Sequence, residues 1–482
     1  MPLNSSAPIV ILGSGPAGSA AACLLARLGH PVRIVAKPPA ESPSLGESLP
    51  PSTGKLFETL GLAEAMAAAG FGRSTGNTAW WGGAPPRVET FADGALGWQV
   101  DALALERVLQ TAAREAGAVI EPLPAPPRTC LHPPAPPAFV LDCTGRAGVL
   151  ARANEVRRYE DGPRTVALVG AWRRPDAWPV PDRSHTLIES YAGGWAWSVP
   201  LASGQRQVAV MVDPQRSGLA RGAGAREVYL TELARTRELG PLASEGVLEG
   251  GPWGWDASTY HATQYAGDGW LLVGDAGATI DPLSSVGVKK ALASGWLAAI
   301  VVHTALTRPA MRAAAQQFFE TREREVCEAY RALSRRHLAA AAKGHPEAFW
   351  LDRSDQGLET EVRLKADTAA EGDDTNVREA FERIRRADRV AFARPPRLRI
   401  EPRPAVSGFE IVLEPRIVSG DEPRGVRFVG DVDVVALADL APDAGDVPDL
   451  FERYCRRVAP VSLPDFLRAL ATAVARGWLV AQ

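Results

Sequence analysis

Four consecutive apolar residues, Ile9 to Leu12, are followed by a glycine-bearing turn, the Ala/Leu-rich run Ser19 to Leu28, and a second apolar stretch, Val32 to Val35. An unbroken apolar run of this length fits a strand buried on both faces, and the longer alanine- and leucine-rich run fits a helix packed beside it. The opening segment therefore predicts a strand–helix–strand unit. Further strands are expected at Phe139 to Leu141 and Trp270 to Val273, and shorter β-like runs such as Thr165 to Val169 and Gln207 to Val212 crowd the interval between them. After Met311 the pattern is helical through Ala342, and its charged stretch Arg322 to Glu325 reads as a solvated face. The proline-dense segment Pro122 to Pro137 interrupts regular structure and reads as a surface connection.

Beyond about Gln356 the texture changes. Phe381 to Asp388 looks helical, residues 397–430 show strand-like alternation, and helices are expected at Leu450 to Val458 and Pro464 to Arg476, before the apolar ending Gly477 to Val480. The expected division is 1–355 and 356–482, and no repeat or low-complexity array is evident.

Two motifs carry candidate chemistry. Gly13, Gly15 and Gly18, with Pro16 and Ala17 between them, lie where the first strand gives way to the first helix. In that place the first glycine permits a tight turn, the second lets a pyrophosphate approach the backbone, and the third lets helix pack on strand. The second motif follows the strand Trp270 to Val273: Gly274 and Asp275, then Val286 and Gly287 at a helix start. Asp275 can accept hydrogen bonds from ribityl hydroxyls, while free amides near Val286 and Gly287 favour negative charge on a reduced flavin's pyrimidine edge. Together the motifs point to one bound FAD. The acid that often binds ribose after the second strand is missing, because that strand ends at Ala36 and Lys37.

With these motifs, residues 7–345 resemble the FAD monooxygenases and flavin-dependent halogenases. Matching pieces in the same order are Gly46 to Pro51, Val100 to Ala113, Asp142 to Arg146, and Trp195-Ala196-Trp197-Ser198-Val199-Pro200, which is similar to the halogenase WxWxxP signature. The resemblance implies an α/β, Rossmann-like FAD-binding fold. A mixed or antiparallel substrate-domain sheet is inserted near 74–98 and 163–262; the tail beyond about Gln356 lies outside this resemblance, and its own pattern predicts a smaller α+β C-terminal domain of winged-helix-like character. The resemblance adds Ser48 to the FAD contacts, makes Glu47 the candidate proton acceptor ahead of Asp281 and His261, and places Trp80, Trp81, Trp195 and Trp197 around the substrate, with Trp253 and Trp255 in the same insertions.

Two departures count against halogenation. Halogenases place a guiding lysine between the Gly-Glu segment and the next tryptophan, whereas here the interval from after Lys55 to Trp80 holds Arg73 and no lysine. They also commonly carry Glu and Thr where this chain has Ser284 and Val286. The stretch Gly72 to Gly82 resembles a narrower branch, the halogenase-like flavoproteins that help make tryptophylquinone cofactors. The reading this implies is hydroxylation of an electron-rich ring through a flavin C4a-hydroperoxide, on a tryptophan side chain of a peptide or protein substrate. Electrons would come from NAD(P)H directly or through a flavin reductase, and oxygen from dioxygen. Rival readings are an aromatic halogenase, a prenyl double-bond reductase and a non-catalytic peptide-binding flavoprotein. The C-terminal helices are similar to winged-helix modules that grip leader peptides.

Composition narrows the remaining classes. The chain has 482 residues, 46% apolar, enough for a large core in two or three domains. A net charge of −3, and an acidic run from Asp431 to Asp449, give no attraction to nucleic acid or anionic membranes. The five cysteines, Cys23, Cys130, Cys143, Cys327 and Cys455, lack metal-ligand spacing, so no metal is expected and a reducing cytoplasm fits them. No secretory signal is visible. The apolar segment Ala291 to Leu306, which contains Ser294, Gly295 and His303, is expected to be too short to span a bilayer.

Overall fold

The structure, a computed structural model, describes residues 7–38, 44–122, 136–354, 368–386, 390–420, 422 and 424–481. Most of the proline-dense connection, together with Cys130, lies outside the described residues. The chain divides into two compact units, Met1–Thr360 and Glu361–Gln482.

The first unit is built on a six-stranded sheet. Its centre is Ile9–Leu12, paired in parallel with Val32–Ala36 on one side and Phe139–Asp142 on the other. Val119–Pro122 and Trp270–Leu272 extend the parallel array, and the short Ala266–Gly267 closes one edge antiparallel. All four residues of the central strand are buried, as an apolar strand covered on both faces requires. The helices Pro16–Arg27 and Gly287–Thr307 pack against each other at backbone distance. A Cβ on Gly295 would lie 2.3 Å from the Ala17 carbonyl oxygen, and one on Gly18 would lie 2.1 Å from the Gly13 carbonyl oxygen.

The Gly287–Thr307 helix has 21 residues, long and apolar enough to cross a membrane by length and composition. This corrects the expectation from Ala291 to Leu306, which missed a full helical turn of polar start. The helix is instead a core element, since 72% of its apolar window is buried inside the fold.

A second sheet of seven strands draws on two separate stretches. Its order is Val247–Asp256, Val166–Arg173, Arg206–Val212, Gly194–Pro200, Thr186–Tyr191, Gly76–Trp80 and Arg87–Thr90. All neighbours are antiparallel except Gly76–Trp80 with Thr186–Tyr191. Side chains alternate between its faces, as the strand period of two demands. One face turns Leu168, Ala196, Val208, Val210 and Val212 toward the helices Ala225–Ala234 and Leu239–Ser244. The other turns Ala167, Val169, Trp195, Ala209 and Met211 toward Leu338 and Ala341 of the helix Arg312–Ala342 and Phe349 and Trp350 of Ala348–Ser354.

A three-stranded sheet, Gly46–Leu49, Gly97–Asp101 and Gly72–Ser74, joins the two larger ones. Gln207 fastens it to the seven-stranded sheet, accepting from the Gly46 N–H at 2.7 Å and donating to the Ser44 carbonyl at 2.7 Å.

The second unit begins with the helix Thr368–Arg386 and a hairpin, Arg399–Ser407 with Glu410–Val418. Helices Val434–Leu440, Val447–Arg457 and Leu463–Ala475 follow, and Val480–Ala481 pairs back on Phe392–Ala393. Leu450, Tyr454, Phe466 and Leu470 centre its core, and Asp433 caps the first of the three helices through the Val435 and Ala436 amides. The hairpin precedes the helices; the apolar ending contributes only a two-residue strand, because Trp478 and Leu479 are spent on the core.

Gly295→Ala is expected to destabilise the protein by about 1–3 kcal/mol in denaturant unfolding, because the new methyl must displace a helix backbone. Gly287→Ala, where a Cβ meets nothing within 4 Å, is expected to stay within about 0.5 kcal/mol of the native chain.

Candidate active site

The two glycine motifs meet. Gly13 holds φ +99°, a left-handed conformation that suits glycine, and a Cβ there would lie 2.4 Å from the Cys143 carbonyl oxygen. A Cβ on Gly15 would project into open space. No side chain caps the Pro16–Arg27 helix, so the first-turn amides of Ala17 and Gly18 remain available beside that opening. A carboxylate does reach this turn, although not from the second strand: Glu106 Oε1 accepts from Ser14 Oγ at 2.9 Å. Lys37, where the ribose-binding acid was sought, is exposed.

Gly274 also has positive φ, +64°, and a Cβ there would sit 3.1 Å from the Ala17 Cβ, so the second motif rests directly on the first. The Gly274 N–H donates to Ser294 Oγ at 2.8 Å. Val286 caps the next helix without a side-chain bond, and Gly287 begins it with open space at its Cβ position. Two uncapped helix N-termini thus stand on packed helices, an arrangement suited to the separated phosphates and electron-rich edge of a dinucleotide.

Beside Gly287 lies a chamber of about 220 Å³. Glu47, Ser48 and Asp275 line one part, and Trp195, Trp197 and Trp255 line another. Ala167, Val169, Ile188 and Met211 complete an apolar wall from the seven-stranded sheet. The Trp197 indole N–H is buried without a partner among the described residues, leaving a donor unsatisfied in that wall.

Charge is concentrated behind the flavin-facing end. Lys290 is almost fully buried; its Nζ donates to Asp275 Oδ1 at 3.1 Å and to the Ala278 carbonyl. Glu323, from the long helix, lies close enough for Lys290 and Ser294 to favour its charged form, yet burial outweighs both and raises its carboxyl to about 7. Burial, helped by the negative charge of Asp275, also raises Glu47 to about 7. Asp281 is raised by burial too, and its Oδ1 accepts from the Leu283 N–H at 2.9 Å.

Several expectations need correction. Trp80 and Trp81 do not line the chamber: Trp80 packs with the core on the opposite face of the sheet, and Trp81 is taken up by Trp350 and by a bond from its Nε1 to the His337 carbonyl at 2.9 Å. Of the two further indoles expected in the insertions, Trp255, on the strand Val247–Asp256, lines it and Trp253 does not. Among the weaker acid–base candidates Asp281 reaches the chamber, while His261 is turned to Glu160 at 3.1 Å. Arg73 is tied to the Gly97 and Leu96 carbonyls over the Trp98 ring. Glu323 is buried although its charged run reads as a solvated face. Lys290 was missed altogether; the adjacent Lys289 gives it no distinguishing signal in the sequence, and only the helix turn separates the buried lysine from its half-buried neighbour.

Comparison with known proteins agrees with this geometry. Residues 6–123 match the FAD binding domain family, and residues 137–394, more than half of the chain, match the family described as tryptophan halogenase. The chain belongs to the tryptophan halogenase family. Within that family it is 30% identical over 358 residues to tryptophan 2-halogenase of Chondromyces crocatus, covering 66% of this chain and 65% of the relative. It is 25% identical to flavin-dependent halogenase rdc2 of Metacordyceps chlamydosporia, covering 64% and 66%. The chain therefore spans about two thirds of the length of these curated relatives. Its fold is similar to the flavin-dependent halogenase CmlS, with TM-score 0.77, 20% identity and coverage of 99% and 96%. It is also similar to QhpG, described as a peptidyl tryptophan dihydroxylase essential for tryptophylquinone cofactor biogenesis, with TM-score 0.62, 22% identity and 98% coverage of each chain. The open cradle at Gly15, the uncapped amides and the Asp275 carboxylate fit the FAD that the first family match names.

Lys290→Met in this family member leaves Asp275 without its cation and is expected to weaken FAD binding about tenfold, read by flavin fluorescence titration. For Glu323 the unfolded chain ionises near 4.5 and the folded one near 7. Between those values the unfolded state binds fewer protons, so stability falls as pH rises, then levels above about 7. Glu323→Gln should remove about 3 kcal/mol of that decline, measured as the difference in unfolding free energy between pH 4.5 and 8.

Proposed function

We propose that this chain is an FAD-dependent monooxygenase that hydroxylates an electron-rich aromatic ring, on a tryptophan side chain of a peptide or protein. The observation that carries this reading is the chamber wall. It offers three indoles and aliphatic side chains beside the carboxyl groups of Glu47, Asp256, Asp275 and Asp281 and the Arg146 guanidinium, and no lysine lines it among the described residues.

Bound FAD, once reduced by NAD(P)H directly or through a flavin reductase, supplies with dioxygen an electrophilic oxygen atom. The chain's residues do the rest. Asp275 and the Gly287 amide hold the flavin end, with Lys290 fixing Asp275 from behind. Trp195, Trp197 and Trp255 pack the substrate ring and keep water out, so that position and dryness replace strong acid–base machinery. Glu47, held near neutrality by burial, accepts the proton that leaves the ring carbon when oxygen is attached.

The peptide substrate draws support from the full-length similarity in fold to QhpG. The C-terminal unit, with its helices and hairpin, is assigned to docking of that peptide. Buried free thiols at Cys23, Cys143 and Cys327 suit a cytoplasmic reaction.

The second reading is an aromatic halogenase, favoured by the names of the curated relatives. The guiding lysine is its weak point, since Arg73 is engaged with backbone carbonyls and Lys289 bonds Ser52 at the surface.

A tryptophan-bearing peptide incubated with the FAD-loaded protein, reductant and isotopically labelled dioxygen should gain labelled oxygen on an aromatic residue by mass spectrometry, with or without chloride and bromide. A halide-dependent mass gain in place of oxygen would establish the second reading. Glu47→Gln should lower kcat at pH 7 by about a hundredfold while FAD binding persists.

A further inference from the structure

Behind one wall of the chamber lies a second cavity of about 170 Å³. Ala257 and Asp281 line both, so the two cavities adjoin at these residues. The outer cavity carries four guanidinium groups, from Arg164, Arg331, Arg335 and Arg353, against three carboxyl groups, from Glu160, Asp161 and Asp281.

The carboxyl groups do little to neutralise its rim. Glu160 is already bound by Arg331 and His261. Asp281 lies where the cavities adjoin and accepts from the Leu283 amide. Asp161 alone is exposed on the rim. Arg353 is nearly buried and built in, paired with the buried Asp213 at 3.6 Å, donating to the Arg164 carbonyl at 2.8 Å and lying 4.0 Å from the Phe349 ring centroid, so its charge is already met from outside the cavity. Arg164 and Arg335 are exposed and have no carboxylate partner among the described residues; Arg164 lies only over the Tyr159 ring, 5.7 Å from its centroid. Two free guanidinium forks beside a seated one make a place for a carboxylate, which they can grip through paired N–H donors.

We propose that this vestibule is a carboxylate subsite of the aromatic substrate, gripping an anionic group while the ring occupies the chamber beyond Asp281. The inference rests on the aromatic-ring reading of the chamber. The carboxylate has two possible sources, the substrate's own short side arm or an acidic residue flanking a tryptophan in a peptide. In either case Arg335 and Arg164 act in recognition and orientation rather than in the chemistry.

The test is calorimetric binding to the full-length, FAD-loaded protein and to the double variant Arg164→Gln/Arg335→Gln, both sites being exposed and a melting curve confirming the fold. The probes are indole-3-propionate and its amide, the capped tripeptides Asp-Trp-Asp and Asn-Trp-Asn, and capped Asp-Gly-Asp. The native protein should bind an acid over its amide by about five- to tenfold, and the double variant by less than about twofold. Preference confined to the indole pair would identify the substrate's own carboxylate, and preference confined to the tripeptides would identify flanking acidic residues. Equal binding of acid and amide, or a preference that survives in the double variant, would overturn the subsite while leaving the ring reading intact. Variant-sensitive binding of Asp-Gly-Asp as tight as that of Asp-Trp-Asp would sustain the subsite and overturn the ring reading.

Discussion

The first unit depends on one close approach, that of the helix beginning at Pro16 and the helix beginning at Gly287. Gly295 lets the second helix touch the Ala17 carbonyl, and Gly274 rests on the Ala17 side chain. Ordinary helix pairs are held 8–10 Å apart by their side chains. Here the missing Cβ atoms bring main chain against main chain, so the first turn of one helix is seated about 12 Å along the other from its own N-terminal end. A dinucleotide needs that: its phosphates and its flavin are far apart along the molecule, yet both are electron-rich and both gain from oriented amides. Positioning in this site is a property of packing between helices before it is a property of any polar side chain.

The same packing explains why charge is tolerated beneath the site. Lys290 is carried inward by the helix that Gly295 seats, and a lone buried ammonium would be strongly disfavoured. Asp275 and the Ala278 carbonyl satisfy it from the flavin side. Glu323 approaches from the long helix, but burial holds its proton near neutral pH, so the cluster need not carry two full negative charges around one cation. A fixed cation behind Asp275 keeps that carboxylate at the cavity wall. Positioning therefore passes from helix contact, to buried lysine, to the aspartate at the surface of the chamber.

What was legible in the sequence follows from which interactions are local. Strand, turn and helix around Gly13, Gly15 and Gly18 lie within one short segment, and their spacing alone predicts the parallel unit that the structure contains. The Gly274–Asp275 turn and the Gly287 helix start are equally local. Alternation within Trp195-Ala196-Trp197 put both indoles on one face, and they do face the chamber. Trp80 and Trp81 could not be placed this way, because Trp80 takes its face from how a strand far away in the chain pairs with its own, and Trp81, just past the strand, is held by His337 and Trp350. Glu323 misled for the converse reason. Its neighbours Arg322, Arg324 and Glu325 make a run that looks solvated, but a helix turns each residue about 100°, and only Glu323 points to the core.

The chamber itself comes from asymmetry across one sheet. On the face toward the helices Ala225–Ala234 and Leu239–Ser244, Val208, Val210 and Val212 fill the strand that carries them. On the reverse face the same strand offers Ala209 and Met211, and its neighbour offers Ala167 and Val169. Ala167 there leaves volume that the bulky indoles of Trp195, Trp197 and Trp255 border rather than fill. Interiors are normally packed to crystal density, so a persistent void lined by rigid aromatic walls is stable only where surrounding elements cannot collapse into it. Gln207 prevents that collapse at the flavin end, bonding Gly46 and Ser44 and so holding Glu47 and Ser48 at a fixed distance from the sheet. The chamber is then set by what the sheet omits: enlarging Ala167, which lines it, would narrow it without touching any charged side chain of the lining.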